Sequence, residues 1–483
     1  MAMKGFSRDI KPLEILNNEQ IEATHRGTLE ILEETGIRVE HEKALKLFAD
    51  NNCQTDFKKQ RVHIPAYIVE ECLRKTPSSF TVKARDPRNN LRVGGNTLYF
   101  TPYPALRTLD LDTWEPRAAT LSDQHNGVKI LDALDNVHYL TGYTPYFDIK
   151  DVPPVMTIPT SVASRIKNTT KSIVGMYQKD SEVFCIEMAK TAGIDLLGGV
   201  LASPPLTYQK DTVEAAFRWT RAGFPIFVAS GAVMGGTAPA TLAGSTVTNN
   251  AEIMAGVVLV QLIKPGTGVV VDHFVHPMNM KTGQPIFGAI ECALHQVMFN
   301  QIWRNWRIPV MNETGGASSS KKIDFQCGYE KAMITFASAL SGANLVGLHG
   351  CIYGELTYHP VQAVLDDDIA GMIGRFIKGV DVTDETLAID LIKEVGPVPG
   401  HFLGKEHTRT WWKKEQFIPK VADRTSYPKW IEQGKKDVLA KAKNRVKEII
   451  ATQSPVPLPD DQNKEIDKIL EKARKYYEER GLI

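Results

Sequence analysis

Histidines follow two short apolar runs in the second half of the chain, where their spacing could bind a metal or an anion. His273 and His276 end the first run, and His349 ends the second, with Cys351 just beyond it. Imidazole and thiolate are ligands that zinc accepts, so these four side chains could form a zinc site on two loops. The imidazoles could instead bind an anionic part of a small substrate, or simply be hydrogen-bonded within their loops. The substrate-binding hypothesis is favoured, and no metal ligand is assigned.

Aromatic rings occur at the same positions relative to the apolar runs. Four of them are assigned to a substrate site: Tyr103, Tyr143, Phe274 and Tyr353. An aromatic face attracts a cation, by about 0.5–1 kcal/mol when exposed and about 2 kcal/mol when desolvated. The rings therefore favour a quaternary ammonium, which cannot donate a hydrogen bond. Asn312 and Glu313 end a further run; Asn312 joins the substrate site, and Glu313 would add negative charge near the cation.

The elements that must position these residues follow a repeating order. Short β-rich runs span residues 98–101, 138–143, 172–177, 197–203, 225–230, 268–274, 309–312 and 344–349. Segments of helical period alternate with them, at 122–134, 181–191, 212–222, 251–263, 289–306, 328–341 and 360–379. This order predicts an α/β fold of the (β/α)8, or TIM barrel, type, in which functional side chains lie where strands end. A doubly wound parallel sheet is the main competing architecture.

Two flanking units are predicted on either side of a barrel at 96–425. Residues 1–95 form an N-terminal helical unit, with helices from about 20 to 36, 41 to 51 and 67 to 75. Residues 426–483 form charged C-terminal helices, at about 430–450 and 461–480. The alternating prolines of 454–459 make a stiff extended linker between these two helices.

The composition disfavours several kinds of partner. The chain has 483 residues, with 57 Lys plus Arg against 56 Asp plus Glu. It therefore lacks the excess of positive charge that binds the phosphates of nucleic acid. No uninterrupted apolar stretch is long enough to span a membrane, and the N-terminus lacks the apolar core of a signal peptide. Cytoplasmic residence is therefore expected. The six cysteines include no C-x-x-C pair, which is typical of reduced, buried thiols.

Ordered segments along most of the chain carry a resemblance to a known family. They are DIKDVPP (148–154), NTTK (168–171), SPPL (203–206), APATLAG (238–244), NAE (250–252), QLIKPG (261–266), DFQCGYEK (324–331), SGAN (341–344), TLA (386–388), GHFLG (400–404) and HT (407–408). With these segments the chain resembles the trimethylamine methyltransferase family. The resemblance is to the members that lack pyrrolysine and demethylate quaternary amines.

The resemblance implies a barrel that moves a methyl group from an amine to the Co(I) of a separate corrinoid protein. The chain itself would bind no cofactor, and cobalamin would be carried by that partner. In the trimethylamine enzymes pyrrolysine sits in the loop after the seventh strand, a slot that falls at about Gly316 or Ala317 here. Gly316 and Ala317 are accordingly assigned as catalytic, together with Glu313 for its negative charge near the cation. The departure from pyrrolysine puts trimethylamine in doubt as the substrate.

A methyltransferase acting on a quaternary amine is the main functional hypothesis. Glycine betaine is favoured as the smallest carboxylated quaternary amine, with His273, His276 and His349 binding its carboxylate. Proline betaine, carnitine and γ-butyrobetaine stay open, and a homo-oligomer is expected. Two other classes compete: a barrel that binds betaines without turnover, and a zinc-dependent methyltransferase that activates a thiol or alcohol.

Overall fold

A repeated strand–helix unit forms the centre of the chain in the computed structural model, which describes residues 4–483. Eight parallel strands are each followed by a helix. In chain order they are β1 Thr97–Pro102, α1 Leu121–Ala133, β2 Tyr139–Leu140, α2 Thr157–Asn168, β3 Ser172–Gly175, α3 Ser181–Ala192, β4 Leu196–Ala202, α4 Lys210–Ala222, β5 Ile226–Ser230, α5 Leu242–Ile263, β6 Val269–His273, α6 Ile290–Asn305, β7 Val310–Asn312, α7 Phe325–Leu340, β8 Leu345–His349 and α8 Pro360–Ile377. All eight predicted strands are present, and the α/β class is confirmed.

The strands form one curled sheet. From β2 to β8 neighbours in the sheet follow the order of the chain, and β8 pairs in parallel with β1. The sheet bends round far enough that the amide of His138, just before β2, donates to the carbonyl oxygen of Phe100 in β1 at 2.8 Å. A short antiparallel strand, Phe6–Ser7, pairs with β1 as the ninth member. The result is a mixed α/β fold whose strand ends converge.

Helix α2 is the one helix of this unit that the periodicity did not predict. Nearly all of its residues are buried, including Ser161, Ser164 and Arg165. A helix with polar residues on its buried face gives no apolar stripe at helical spacing. The Arg165 guanidinium is satisfied by carbonyl oxygens of Ser161, Thr141 and Val174.

The interior of the curled sheet is filled at its amino end by apolar side chains. They come from alternate positions of the strands and from a hairpin, Ser79–Val82 with Leu91–Gly94, that covers this end. The cluster comprises Val82, Leu91, Val93, Tyr99, Tyr139, Val174, Leu197, Phe227, Ala229, Val270, Met311 and Leu345. A separate, larger core lies between the strands and the surrounding helices. The opposite, carboxyl end is therefore the one where loops can form a site.

The N-terminal unit contains strands as well as the predicted helices. The helices are Asn18–Glu30, continued by a π-helical turn at Ile31–Thr35, then Glu42–Asp50 and Ala66–Lys75. The strands Ile37–Val39, Gln54–Asp56 and Arg61–His63 form a small sheet together with Thr207–Tyr208. Strands of three residues are too short to give a readable alternation. The pairing of Ile37–Val39 with Thr207–Tyr208 ties this unit to the loop after β4.

The loops at the carboxyl ends of the strands contain short paired segments. They are Thr108–Leu109 with Pro116–Arg117, Val233–Met234 with His276–Pro277, and Cys351–Tyr353 with Thr357–Tyr358. Single 3-10 turns occur at Pro87–Asn89 and Pro154–Met156. These pairs hold the loops after β1, β5, β6 and β8 in defined positions above the sheet.

Helix α5 is the longest helix of the described chain. It is apolar and long enough to cross a membrane by length and composition alone, but most of it is buried inside the protein. Its neighbours are the helices of the N-terminal unit, α4 and α6. A helix buried on nearly all sides has an apolar composition for that reason.

The C-terminal region divides into an exposed part and a packed part. The helices Asp384–Leu387, Ile389–Val395, Glu406–Glu415 and Tyr427–Glu432 bury no side chain. Val438–Thr452 packs on α8 and α1, and Asp460–Glu478 packs on α3 and α2. The predicted helix 430–450 is thus two helices. The proline linker is fixed to the body, because the Arg85 guanidinium donates to the carbonyl oxygens of Val456 and Pro457 at 2.8 and 3.0 Å.

Candidate active site

A cavity of about 590 Å³ opens at the carboxyl ends of the strands. Its aromatic and acidic lining consists of Tyr103, Tyr143, Phe147, Asp272, Phe274 and Glu313. Glu355, from the loop after β8, is exposed and lies at the rim. No Lys, Arg or His belongs to the lining formed by residues 4–483. The cavity therefore combines aromatic rings with carboxyl groups, and no described residue contributes a positive side chain to it.

The alternation of β6 determines which of its side chains enters the cavity. Val270 packs in the interior cluster, and Asp272, two residues further, points the same way into the cavity. Val271 packs in the outer core, and His273 follows it on that side. Successive side chains of a strand face opposite sides of the sheet. Asp272 is thus the residue that β6 contributes to the cavity.

Asp272 and Glu313 form a buried pair of carboxyl groups. The Glu313 amide donates to Asp272 Oδ1 at 3.0 Å, while Asp272 Oδ2 has no hydrogen-bond partner among the described residues. Burial raises the pKa of Asp272. Burial, and then the neighbouring charge of Asp272, raise the pKa of Glu313 well above its ordinary value. Because two adjacent carboxylates repel each other at low dielectric, the pair holds at least one proton at neutral pH.

Aromatic side chains form the walls on both sides of this pair. The rings of Tyr103 and Phe274 are stacked, with centroids 6.4 Å apart and planes at 24°. Tyr143 and Phe147 meet edge to face at 5.6 Å. The Tyr103 hydroxyl is buried, faces the Glu355 carboxyl and makes no hydrogen bond of ordinary length within the described chain. Burial raises the pKa of Tyr103 well above its ordinary value. These walls can surround a cation, and Tyr103 can donate one hydrogen bond into the cavity.

A buried carboxylate from α5 supports the wall formed by β5. The Ser230 hydroxyl, which lines the cavity, donates to Glu252 Oε2, and the Leu206 amide donates to Oε1 at 2.7 Å. Burial raises the pKa of Glu252 to about 6. Glu252 has no exposed surface and does not reach the cavity. It acts by positioning Ser230 and the loop after β4.

The loop after β7 packs tightly against β8. The Lys331 ammonium is fully buried and donates to the carbonyl oxygens of Gly316 at 2.7 Å, Leu348 at 2.7 Å and Cys351 at 2.9 Å. A Cβ at Gly316 would lie 2.6 Å from Leu348 Cδ1 and 2.7 Å from its Cα. Gly316 therefore has no room for a side chain, and it does not belong to the cavity lining. Ala317 is buried in the same loop and does not line the cavity.

The three histidines assigned to the substrate lie outside the cavity lining. His273 Nε2 is 2.7 Å from His295 Nδ1 of α6, on the outer side of the sheet. His276 packs against Phe287 with its Nδ1 3.6 Å from Cys292 Sγ, and burial lowers the pKa of His276 to about 4.

His349 points away from the cavity because β8 is irregular at its end. The register between β8 and β1 shifts between Gly347 and His349, and the His349 ring then lies 3.6 Å from Asp367 of α8. The sulfur of Cys351, the remaining residue of the zinc hypothesis, donates to the Gly354 carbonyl oxygen. The structure does not bring these four side chains together, and residues 4–483 contain no group of three or more ligand-type side chains arranged to hold a metal.

Two other predicted residues also lie beside the cavity and not in its lining. Asn312 is buried on the outer side of β7, where its side chain bonds to Asn300 and Ser338. The Tyr353 ring has the Lys321 ammonium 4.4 Å above its centroid. Of the predicted site, the structure therefore gathers Tyr103, Tyr143, Phe274 and Glu313.

Asp272, Phe147 and Glu355 are lining residues that the sequence reasoning missed. Asp272 had a signal, because an acidic residue at the end of an otherwise apolar strand is expensive to bury without a role. Phe147 and Glu355 lie in loops, where no periodicity indicates direction.

Solved structures that resemble this chain identify its fold. The monomethylamine methyltransferase MtmB of Methanosarcina barkeri superposes with a TM-score of 0.55 at 12% identity, covering 98% of this chain and 89% of that one. Its hydroxylamine complex gives the same values. At this identity the likeness establishes the fold alone, which is that of a methylamine-type methyltransferase.

Sequence comparison identifies the family. The family model described as trimethylamine methyltransferase (MTTB) matches residues 1–477. Glycine betaine methyltransferase of Desulfitobacterium hafniense strain Y51 is 34% identical over 459 residues, covering 92% of this chain and 94% of that protein. Trimethylamine methyltransferase MttB of D. hafniense DCB-2 is 29% identical over 473 residues, covering 95% and 94%. The chain belongs to the trimethylamine methyltransferase family, as the resemblance predicted.

Proposed function

We propose that this protein transfers a methyl group from a quaternary amine to the Co(I) of a separate corrinoid protein. The observation that carries the proposal is the cavity at the strand ends, whose aromatic walls suit a permanent cation and whose described lining contains no Lys, Arg or His. Family membership supplies the reaction type. The proposal takes the curled sheet as a closed (β/α)8 barrel, with the corrinoid approaching from the carboxyl end.

The chemistry places modest demands on the protein. The C–N bond breaks with its electron pair going to nitrogen, and the cobalt electron pair forms the new bond to the methyl carbon. A quaternary ammonium leaves as a neutral tertiary amine, so no proton has to be supplied. The protein's part is to hold the nitrogen between rings, exclude water and direct one methyl group towards the mouth. The lack of room for a side chain at Gly316 is compatible with this simpler task.

Glycine betaine is the donor that we propose. The support is the 34% identity to a protein named glycine betaine methyltransferase. Proline betaine, carnitine and γ-butyrobetaine also combine a quaternary nitrogen that bears methyl groups with a carboxylate, and they are the alternatives for a cavity of this size.

An anaerobic methyl-transfer assay tests the proposal. The protein is mixed with each of the four betaines and with reduced cobalamin, free or on a corrinoid protein, and methylcobalamin is followed by its absorbance. We expect transfer from glycine betaine and formation of dimethylglycine. Transfer from another betaine alone would change the donor, and tight betaine binding without any methylcobalamin would show a non-catalytic binding protein.

Replacing Phe274 with alanine should sharply weaken use of the substrate. Phe274 forms one wall of the cavity and stacks on Tyr103. A desolvated cation–ring contact contributes about 2 kcal/mol, which corresponds to about a 30-fold loss in kcat/KM. Phe274→Tyr keeps the ring face and should stay close to the wild type. Phe325→Ala, on the exposed outer face of α7, is the matched control, and an equal loss in it would contradict this role for Phe274.

A further inference from the structure

We infer that Asp272, Glu313 and Tyr103 bind the carboxylate of the substrate as neutral hydrogen-bond donors, so that a betaine enters together with a proton. The inference rests on the proposed function, since it concerns how the same cavity distinguishes betaines from other quaternary amines. It assigns to the acidic pair a specificity role that the predicted histidines do not fill.

A substrate carboxylate finds no positively charged partner among the described residues that line the cavity. The described lining contains no Lys, Arg or His. The nearby cations are already engaged: the Lys331 ammonium bonds three carbonyl oxygens, and Lys321 lies over the Tyr353 ring. A buried carboxylate without donors costs several kcal/mol. A betaine must therefore find hydrogen-bond donors among neutral groups.

Two buried polar atoms can fill this need. The Tyr103 hydroxyl faces the Glu355 carboxyl and Asp272 faces the Glu313 carboxyl. Neither the Tyr103 hydroxyl nor Asp272 Oδ2 makes a hydrogen bond of ordinary length among the described residues, and both residues are at most 1% exposed. Buried polar atoms in native proteins normally have partners. A hydroxyl and a protonated carboxyl oxygen on the wall of one cavity form a pair of donors that a carboxylate can accept from.

The charge of the Asp272–Glu313 pair determines whether the substrate's ammonium or its carboxylate binds next to it. If both carboxyl groups were ionised they would repel a third carboxylate in the same cavity. Burial raises the pKa of both groups, so the fully protonated pair is reached near neutral pH at little cost. Full ionisation is the more expensive state, because Glu313 releases its proton only far above its ordinary range. Binding of a substrate carboxylate therefore favours the neutral, hydrogen-bond-donating state over the singly ionised pair, which repels it.

This assignment also orients the substrate. Asp272 is fully buried, whereas Glu355 is exposed at the rim. A carboxylate held by Asp272 and Tyr103 leaves the ammonium between the rings of Phe274, Tyr143 and Phe147. One methyl group is then directed towards the opening, where an incoming cobalt atom can reach it. A substrate without a carboxylate would lack this anchor.

The titratable groups that face the pair come from several elements. They are Tyr103 after β1, Tyr139 of β2, Tyr143 after β2, Cys351 after β8 and Glu355 at the rim. Burial raises the pKa of the three tyrosines and of Cys351 above 10, so they do not titrate between pH 6 and 9. Burial also raises the pKa of Glu355, whose carboxyl group faces the Tyr103 hydroxyl, and Glu355→Gln tests this group directly.

Calorimetry of binding, without any corrinoid, measures the proton. Glycine betaine is titrated into the protein between pH 6 and 9 in buffers of different ionisation enthalpy. We expect proton uptake that rises towards one with increasing pH, and an affinity that falls by about tenfold per pH unit once the pair ionises. Choline, which has the same trimethylammonium group and no carboxylate, should bind without uptake. Proton release on betaine binding, or pH-independent affinity, would overturn the inference.

Variants identify the group that takes the proton. Asp272→Asn places an amide donor where Oδ2 stands, so betaine binding should persist within about threefold at pH 7 and the proton uptake should fall. In Glu355→Gln the uptake should persist. Asp211→Asn, an exposed carboxylate on α4, is the matched control. If Asp272→Asn does not fold, the pH series on the wild type still decides the question.

The two proposals fail separately in these experiments. Methyl transfer from a betaine whose binding takes up no proton would overturn the inference and leave the function intact. Betaine binding with uptake, but without methyl transfer to cobalamin, would overturn the function and leave the recognition mode intact.

Discussion

Replacing Gly347 with alanine is expected to reduce kcat/KM by about 100-fold or more. A Cβ at Gly347 in β8 would lie 1.8 Å from the carbonyl oxygen of Glu313 and 2.8 Å from its carbonyl carbon. Backbone cannot rotate out of the way as a flexible side chain can, so Glu313 must move. A displacement of about 1 Å in a positioning group costs about 100-fold. The loss should appear with glycine betaine in the methyl-transfer assay.

A second glycine provides the matched control for this substitution. Gly328 lies in helix α7, and a Cβ there meets nothing within 4 Å. Gly328→Ala should keep activity and gain about 0.5–1 kcal/mol of stability, since alanine is the better helix former. Gly347→Ala should also lose about 1–3 kcal/mol from overpacking, measured by urea unfolding. Wild-type activity in Gly347→Ala would show that the position of Glu313 does not matter.

Replacing Lys331 with methionine is expected to lower the free energy of unfolding by about 3–5 kcal/mol. Its ammonium binds three carbonyl oxygens and lies 3.3 Å from Asp366 Oδ2, and both side chains are fully buried. Methionine keeps the length and removes the charge, so Asp366 loses its cation and three carbonyl groups lose a donor. Urea unfolding followed by circular dichroism measures the loss.

The partner substitution separates charge pairing from loop anchoring. Asp366→Asn removes the negative charge while Gly350 and Gln362 can still contact the side chain. If pairing dominates, the double variant should recover part of the Lys331→Met loss, because no charge is left buried alone. If the carbonyl contacts dominate, the double variant should be no more stable than Lys331→Met. A loss below about 1 kcal/mol in Lys331→Met would contradict both roles.

The strand order was readable from the sequence because parallel strands buried on both faces are short and β-rich. All eight predicted runs coincide with observed strands. Strands of a parallel sheet are buried on both faces, so they form short, nearly continuous apolar runs. The small N-terminal sheet was not readable, because its strands have three residues each and depend on pairing with Thr207–Tyr208. Pairing between segments that lie far apart in the chain gives no pattern in the sequence of either segment.

The sequence located part of the cavity lining, because functional side chains in this fold lie where strands end. Tyr103, Tyr143, Phe274 and Glu313 line the cavity, whereas Tyr353 does not; their roles stay predictions. The histidines were placed by proximity to strand ends, which does not fix direction. In β6 the alternation could have been used: Val270 and Asp272 share one face, and His273 takes the other.

His349 shows the limit of that rule. Strict alternation from Leu345, which faces the interior, would also point His349 inwards. The register shift between Gly347 and His349 reverses the direction and sends the ring to Asp367. A bulge changes the face of every residue beyond it, and it arises from the fit between two strands, which one strand's sequence does not contain.

The hairpin that fills the amino end of the sheet has a kinetic consequence. With that end occupied by Val82, Leu91 and Val93, the cavity has its entrance at the carboxyl end, and both reactants share it. Under the proposed function the amine must bind before the corrinoid protein covers the cavity entrance. The demethylated product can leave only after that protein dissociates. Turnover should therefore follow a compulsory order, with the small molecule first in and last out.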